Sequence, residues 1–311
     1  MVKAVQQVLP EGFSLSIIES PEQREELSRI DYMITRMMRI DQDVMEHAPR
    51  LKLIQRWGVG YDKVDVACAT RRKIPVAISA GVNAVSVSEH AVLLMLAVLR
   101  KLIEADRAVH EGRWAEKSVL EGAGTLHGRT VGLLGFGNIA RLVAEKVHAF
   151  GAAVQYYDVV RADPELEKRL HAEYTSFETL MSTSDILSIH LPLLPQTEGM
   201  VDAAALSLMR PGSILINTAR GRIVEEEALI QALREGRLRG AGLDTLAQEP
   251  PAADSPLLQM PNVVVTPHIG GTTEDNNVVC ARHCVDNIAA VEAGRPLPPR
   301  DFVNPECLQK Q

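Results

Sequence analysis

The chain has 311 residues, 46% of them hydrophobic and only 4% aromatic, with a formal net charge of −7. That length predicts two domains rather than one. The acidic balance excludes a general nucleic-acid or anionic-membrane binder, while leaving room for a local basic pocket. The opening Met1-Val2-Lys3-Ala4-Val5 lacks the apolar core of a secretion signal, and the longest aliphatic run, 91–99, is too short to span a bilayer. A cytoplasmic protein is expected.

In chain order, residues 1–8 predict a weak first strand, 13–18 a strand, 21–28 a charged helix and 32–35 a strand. A helix over 41–48 and a strand over 51–55 follow, the latter ending in Trp57-Gly58-Val59-Gly60-Tyr61-Asp62. A short strand over 75–78 then leads to Gly81-Val82-Asn83. This alternation predicts an open α/β layer with one edge strand missing or rearranged. A long helix begins near Ser86, and its apolar run predicts burial on most sides, between domains or subunits.

From Thr130 the alternation is strict. A strand over 131–134 runs into Gly135-Phe136-Gly137-Asn138-Ile139-Ala140. The next helix carries Ile139, Leu142, Val143 and Val147 on one face, Gly151 stops it, and a strand over 153–157 ends in Asp158. This is the order of a βαβ unit that holds a dinucleotide. Gly135 permits the tight turn, and Gly137 lets the backbone approach the pyrophosphate. The helix amides and dipole then receive the anion. Asp158 stands where a carboxylate holds the adenosine ribose hydroxyls and repels a 2′-phosphate, which predicts NAD as cofactor. Arg161 is close enough in sequence to soften that preference. A lone Gly-x-Gly is a weak signal, but strand, helix and spaced acid agree here. Ala140 at the third glycine position costs one methyl at the helix–sheet contact.

Strands over 186–189, 213–216, 240–243 and 263–265 continue the sheet, and a helix over 274–293 returns to the first domain. Ligands of such sheets bind beyond the carboxyl ends of the strands. Those ends carry His190-Leu191-Pro192, then Asn217-Thr218-Ala219-Arg220-Gly221, then Asp244 with Glu249, then Thr266-Pro267-His268-Ile269-Gly270. The set suits hydride transfer on a 2-hydroxy or 2-oxo acid. Arg220 offers a planar fork for a carboxylate and the C2 oxygen. His268 exchanges the hydroxyl proton, and Glu249 fixes its tautomer and favours the imidazolium. Asp244 is placed for the nicotinamide carboxamide. His190, Pro192, Thr197, Thr218, Ala219, Asp244, His268 and Gly270 are candidate cofactor contacts beside Gly135, Phe136, Gly137, Asn138, Ile139 and Asp158. Singly, each reads as a packed histidine, a solvated arginine or a loop acid; at consecutive strand ends beside a dinucleotide loop, the functional reading leads. Cys68, Cys280, Cys284 and Cys307 show no disulfide or metal spacing and read as free thiols, so no metal is expected.

The segments 58–62, 83–89, 132–140, 217–221, 243–250 and 266–271, in this order, resemble the D-isomer-specific 2-hydroxyacid dehydrogenase family over nearly the whole chain. The resemblance implies an α/β fold of two doubly wound parallel-sheet domains. A flavodoxin-like substrate domain would take residues 1–85 and 276–311, and a Rossmann NAD-binding domain residues 86–275. It implies Arg220, Glu249 and His268 as the catalytic set. Gly58, Val59 and Gly60 would bind the substrate carboxylate through their amides, together with Arg220 and His268. A homodimer built through the nucleotide domain is also implied, acting on a small-molecule 2-hydroxy or 2-oxo acid. Met37 and Met38 soften a loop that is polar in phosphoglycerate dehydrogenases, which leans away from 3-phosphoglycerate. Glu249 disfavours formate dehydrogenase, which has glutamine there. Two rivals stay open: an NAD(H)-sensing, corepressor-like binding protein on the same fold, and a phosphite-type NAD oxidoreductase.

Overall fold

The computed structural model describes residues 1–114, 117 and 121–308. It divides into two units, Met1–Asn83 with Gly271–Gln311, and Ala84–Gly270.

The first unit is built on a three-stranded parallel sheet, β1 (Tyr32–Thr35), β2 (Leu53–Arg56) and β3 (Val76–Ala77), in that order. Asp41 and Asp65 start the helices Gln42–Glu46 and Val66–Arg71 by accepting from Val44 N and Cys68 N, at 3.3 and 2.8 Å. Two expectations are corrected here. Residues 2–8 form a helix, not a strand, because Ala4 and Val5 bury against Ala281 and Val285 of the long helix Glu274–Glu292. Residues 13–18 join no sheet; Phe13 instead packs on Tyr32, with ring centroids 6.0 Å apart.

The second unit carries seven parallel strands: β4 (Thr130–Leu134), β5 (Ala153–Tyr157), β6 (Ala172–Tyr174), β7 (Ile186–Ile189), β8 (Ser213–Asn217), β9 (Leu238–Leu243) and β10 (Val263–Val265). Their spatial order is β10-β9-β8-β7-β4-β5-β6, so the winding reverses between β4 and β7. Strands β7 and β8 are buried at every position, as a sheet covered on both faces requires. One cover is the helix Ala84–Arg100, which packs on β8, β9 and the helix Asn138–Ala149. Glycines in β9 permit its close approach: a Cβ on Gly242 would sit 2.9 Å from Leu94 Cβ, and one on Gly240 2.9 Å from Val98 Cγ1. The edge strand β6, only three residues long, was not expected from the sequence. Among the described residues no helix is long and apolar enough to cross a membrane.

Candidate active site

At the winding reversal, β4 ends in Gly135 and β7 in His190, where a crevice is expected to take a ligand. Gly135 has φ +93°, and a Cβ there would lie 3.0 Å from the His190 carbonyl carbon and oxygen. Only glycine lets the two strand ends come this close. Gly137 caps the helix Asn138–Ala149 without a side-chain bond, and its missing Cβ faces open space. The first turn of that helix, Asn138 and Ile139, therefore begins beside open space with amides that have no intrahelical partner, as an anion site requires. Phe136 turns its ring into the core, stacked on Tyr156 at 3.8 Å, so only its backbone belongs to the loop.

The Asp158 carboxylate accepts from Phe136 N at 2.7 Å, which ties the acid to the glycine loop. Arg161 turns away to Glu167, bonding Oε1 through Nε at 2.9 Å and Oε2 through Nη2 at 2.8 Å. Those bonds and the Tyr156 hydroxyl hold Glu167 down at about 2. His190 Nε2 meets Ser188 Oγ at 2.9 Å, and burial pushes its pKa down to about 3, which keeps the ring neutral. Thr197 closes the following loop, donating to Pro192 O at 2.6 Å and accepting from Leu194 N at 2.8 Å. Thr218 is buried, and its hydroxyl has no hydrogen-bond partner among the described residues. The open face at Gly137, the uncapped helix start and this orphaned hydroxyl fit a bound dinucleotide.

The ends of β8, β9 and β10 interlock. Asn217 accepts from Ala219 N at 3.0 Å and donates to Arg220 O at 2.9 Å, shaping the turn that carries Arg220. Arg220 Nη1 bonds Ala219 O at 2.7 Å. A Cβ on Gly221 would fall 1.9 Å from the Leu246 carbonyl carbon, so this turn lies directly on the loop after β9. That loop holds Glu249, whose Oε1 accepts from Leu246 N at 3.2 Å and whose Oε2 meets His268 Nδ1 at 2.8 Å. With Nδ1 committed to the carboxylate, Nε2 is the nitrogen left to exchange a proton. His268 has φ +54°, a left-handed conformation that costs a non-glycine residue about 1–2 kcal/mol.

Asp244 serves this loop directly. Its Oδ1 accepts from Thr266 Oγ1 at 2.6 Å and Ile269 N at 2.9 Å, and its Oδ2 from Gly270 N at 2.8 Å. Burial works to raise its pKa, but bonds from His90, Thr266, Ile269 and Gly270 outweigh it and keep the carboxyl below its usual range.

In the first unit, Gly58 has φ +121° and its carbonyl accepts from Ser79 N at 2.9 Å. Arg56 reaches Gly60 O through Nε at 2.8 Å, fixing the Gly58-Val59-Gly60 turn from behind. Cys280 and Cys284 are buried one helical turn apart, 3.8 and 3.5 Å from Ser79 Oγ. Arg56, His90 and Thr266, which hold these loops, are not among the candidates read from the sequence. Thr266 at a strand end carried the only signal.

A doubly wound sheet with a dinucleotide loop and a paired carboxylate and imidazole defines a nicotinamide-dependent dehydrogenase. The NAD binding domain of the D-isomer specific 2-hydroxyacid dehydrogenases matches residues 92–270. The chain is 39% identical over 291 residues to a glyoxylate reductase of Thermococcus litoralis, covering 91% of this chain and 86% of that enzyme. It is 41% identical over 266 residues to a D-3-phosphoglycerate dehydrogenase of Mycobacterium leprae, covering 85% of this chain and 49% of that longer protein. A solved D-lactate dehydrogenase from Aquifex aeolicus, complexed with NAD and lactic acid, is similar with a TM-score of 0.82 at 29% identity, over 94% of this chain and 91% of that one. The chain belongs to the D-isomer specific 2-hydroxyacid dehydrogenase family. It is an NAD-dependent oxidoreductase acting on CH–OH donors.

Proposed function

We propose that this enzyme interconverts a small 2-oxo acid and its D-2-hydroxy acid, with His268 as proton carrier, Glu249 as its partner and Arg220 as the substrate clamp. The 2.8 Å contact between His268 Nδ1 and Glu249 Oε2, at the carboxyl edge of the NAD-binding sheet, carries this reading. The nicotinamide, when bound, supplies or accepts the hydride at C2. In reduction, His268 Nε2 donates a proton to the C2 oxygen; in oxidation it takes that proton back. The Arg220 fork orients the carboxylate and polarises the C2 oxygen. Gly58, Val59 and Gly60 supply amides to the substrate carboxylate, so the unit Met1–Asn83 with Gly271–Gln311 acts as the substrate domain.

Asn138, Ile139 and Gly137 receive the pyrophosphate and Asp158 the adenosine ribose. His190, Pro192, Thr197, Thr218, Ala219, Asp244 and Gly270 complete the wall toward the nicotinamide. Because Arg161 is held by Glu167, nothing offsets the repulsion of a 2′-phosphate by Asp158, and NAD is preferred over NADP.

A small, unphosphorylated substrate is favoured. Met37 is 48% exposed in the loop after β1, and Arg36 is engaged with Thr272 Oγ1 at 2.8 Å. Turnover of NADH with glyoxylate, hydroxypyruvate, pyruvate and bulkier 2-oxo acids tests the proposal. Activity is expected on the smaller acids; tight NADH binding without turnover on any of them would instead favour a sensor. The exposed Leu102, Ile103, Val109 and Trp114 support a homodimer, which sedimentation velocity would detect.

A further inference from the structure

We infer that His90 and Thr266 are positioning residues for His268, forming with Asp244 a hydrogen-bonded chain that sets the backbone of the loop bearing the imidazole. This rests on the reading of His268 as proton carrier.

Proton counting fixes the direction of the chain. Thr266 Oγ1 donates its single proton to Asp244 Oδ1 at 2.6 Å. His90 Nε2 lies 2.8 Å from Thr266 Oγ1, whose proton is already given to Asp244, so the imidazole must be the donor and carries a hydrogen on Nε2. The same Nε2 stands 3.4 Å from Asp244 Oδ1. Asp244 in turn gathers the amides of Ile269 and Gly270, while its own carbonyl accepts from His268 N at 2.9 Å. Residues 266–270 are thus wrapped around one buried carboxylate. His268 lies inside the wrap, in a left-handed conformation that the surrounding bonds must enforce.

The anchor of the chain is rigid. His90 belongs to the helix Ala84–Arg100, whose neighbouring Ala91 and Leu94 are buried in the core of the second unit. Space is as tight as the bonding. A Cβ on Gly270 would lie 2.9 Å from Asp244 Oδ2 and 3.3 Å from His90 Cδ2. His90 makes no contact with the reacting atoms in this scheme; it acts through the Thr266 hydroxyl, the Asp244 carboxylate and the loop.

Steady-state kinetics of Thr266→Val, Thr266→Ser, His90→Leu and His90→Gln test the inference, with NADH affinity read by fluorescence and Tm recorded for each. Thr266→Val and His90→Leu should lower kcat about tenfold or more through misplacement of His268, with substrate KM moved by about twofold at most. Thr266→Ser keeps the hydroxyl and His90→Gln keeps a donor, so both should recover most of the lost kcat. The double variant His90→Leu/Thr266→Val should lose clearly less than the product of the two single losses, because both side chains converge on Asp244 Oδ1. Wild-type kcat in Thr266→Val, or multiplicative losses in the double variant, would overturn the chain. If Thr266→Val does not fold, the pair His90→Leu and His90→Gln carries the same comparison. His268→Asn serves as the control. Undiminished turnover there would sink the proton-carrier reading itself, whereas loss in His268→Asn with full activity in His90→Leu would sink only this inference.

Discussion

The two loops that carry the proposed chemistry are held by buried charges of opposite sign. In the first unit Arg56, 6% exposed, gathers carbonyls: Gly60 O at 2.8 Å, Thr35 O at 3.3 Å and Arg36 O at 2.9 Å. In the second unit Asp244, 3% exposed, gathers amides and a hydroxyl. A buried cation draws carbonyl oxygens toward itself and so fixes the Gly58–Gly60 turn, proposed above to receive the substrate carboxylate. A buried anion that draws amides inward bends residues 266–270 and turns the imidazole outward. In both units the group that shapes the loop stands behind it.

The sharpest way to break this contrast is to remove the outward group of the second loop. His268→Asn eliminates the proposed proton carrier and should cost roughly 10²–10⁴ in kcat, measured by NADH oxidation with glyoxylate. Next in size is Arg220→Lys, which keeps the charge and loses the fork. Both turnover and substrate affinity should fall, by about 10² in kcat/KM. Arg56→Met probes the first loop alone: the turn loses its carbonyl clamp, and KM for the oxo acid should rise about tenfold while NADH affinity stays within about twofold. A parallel loss of NADH affinity would show that the two loops are not separable in this way. The smallest effect belongs to Asp158→Ser, which should reduce the kinetic preference for NAD over NADP by about tenfold without abolishing turnover.

Much of the second unit was legible because its signals are local. Strands 153–157, 186–189 and 263–265 stand where apolar-rich runs end at Asp158, at His190 and at Thr266-Pro267. The Glu249–His268 pairing followed from reading consecutive strand ends as one edge. What failed was decided by distant partners. The helix Val2–Val8 is dictated by Ala281 and Val285 at the far end of the chain, and a valine-rich octapeptide alone reads as a strand. Residues 13–18 have strand composition but no neighbouring strand to pair with. His90 was invisible for the same reason as the first helix, since its partner Thr266 lies 176 positions away.

The central claim is that one imidazole gives its proton in reduction and takes it in oxidation. Measuring kcat/KM against pH in both directions, for wild type and His268→Asn, tests it most directly. Reduction should be favoured at lower pH than oxidation, since it needs His268 protonated, and both dependences should flatten in the variant. Coincident optima in the wild type, or unchanged profiles in His268→Asn, would contradict the account.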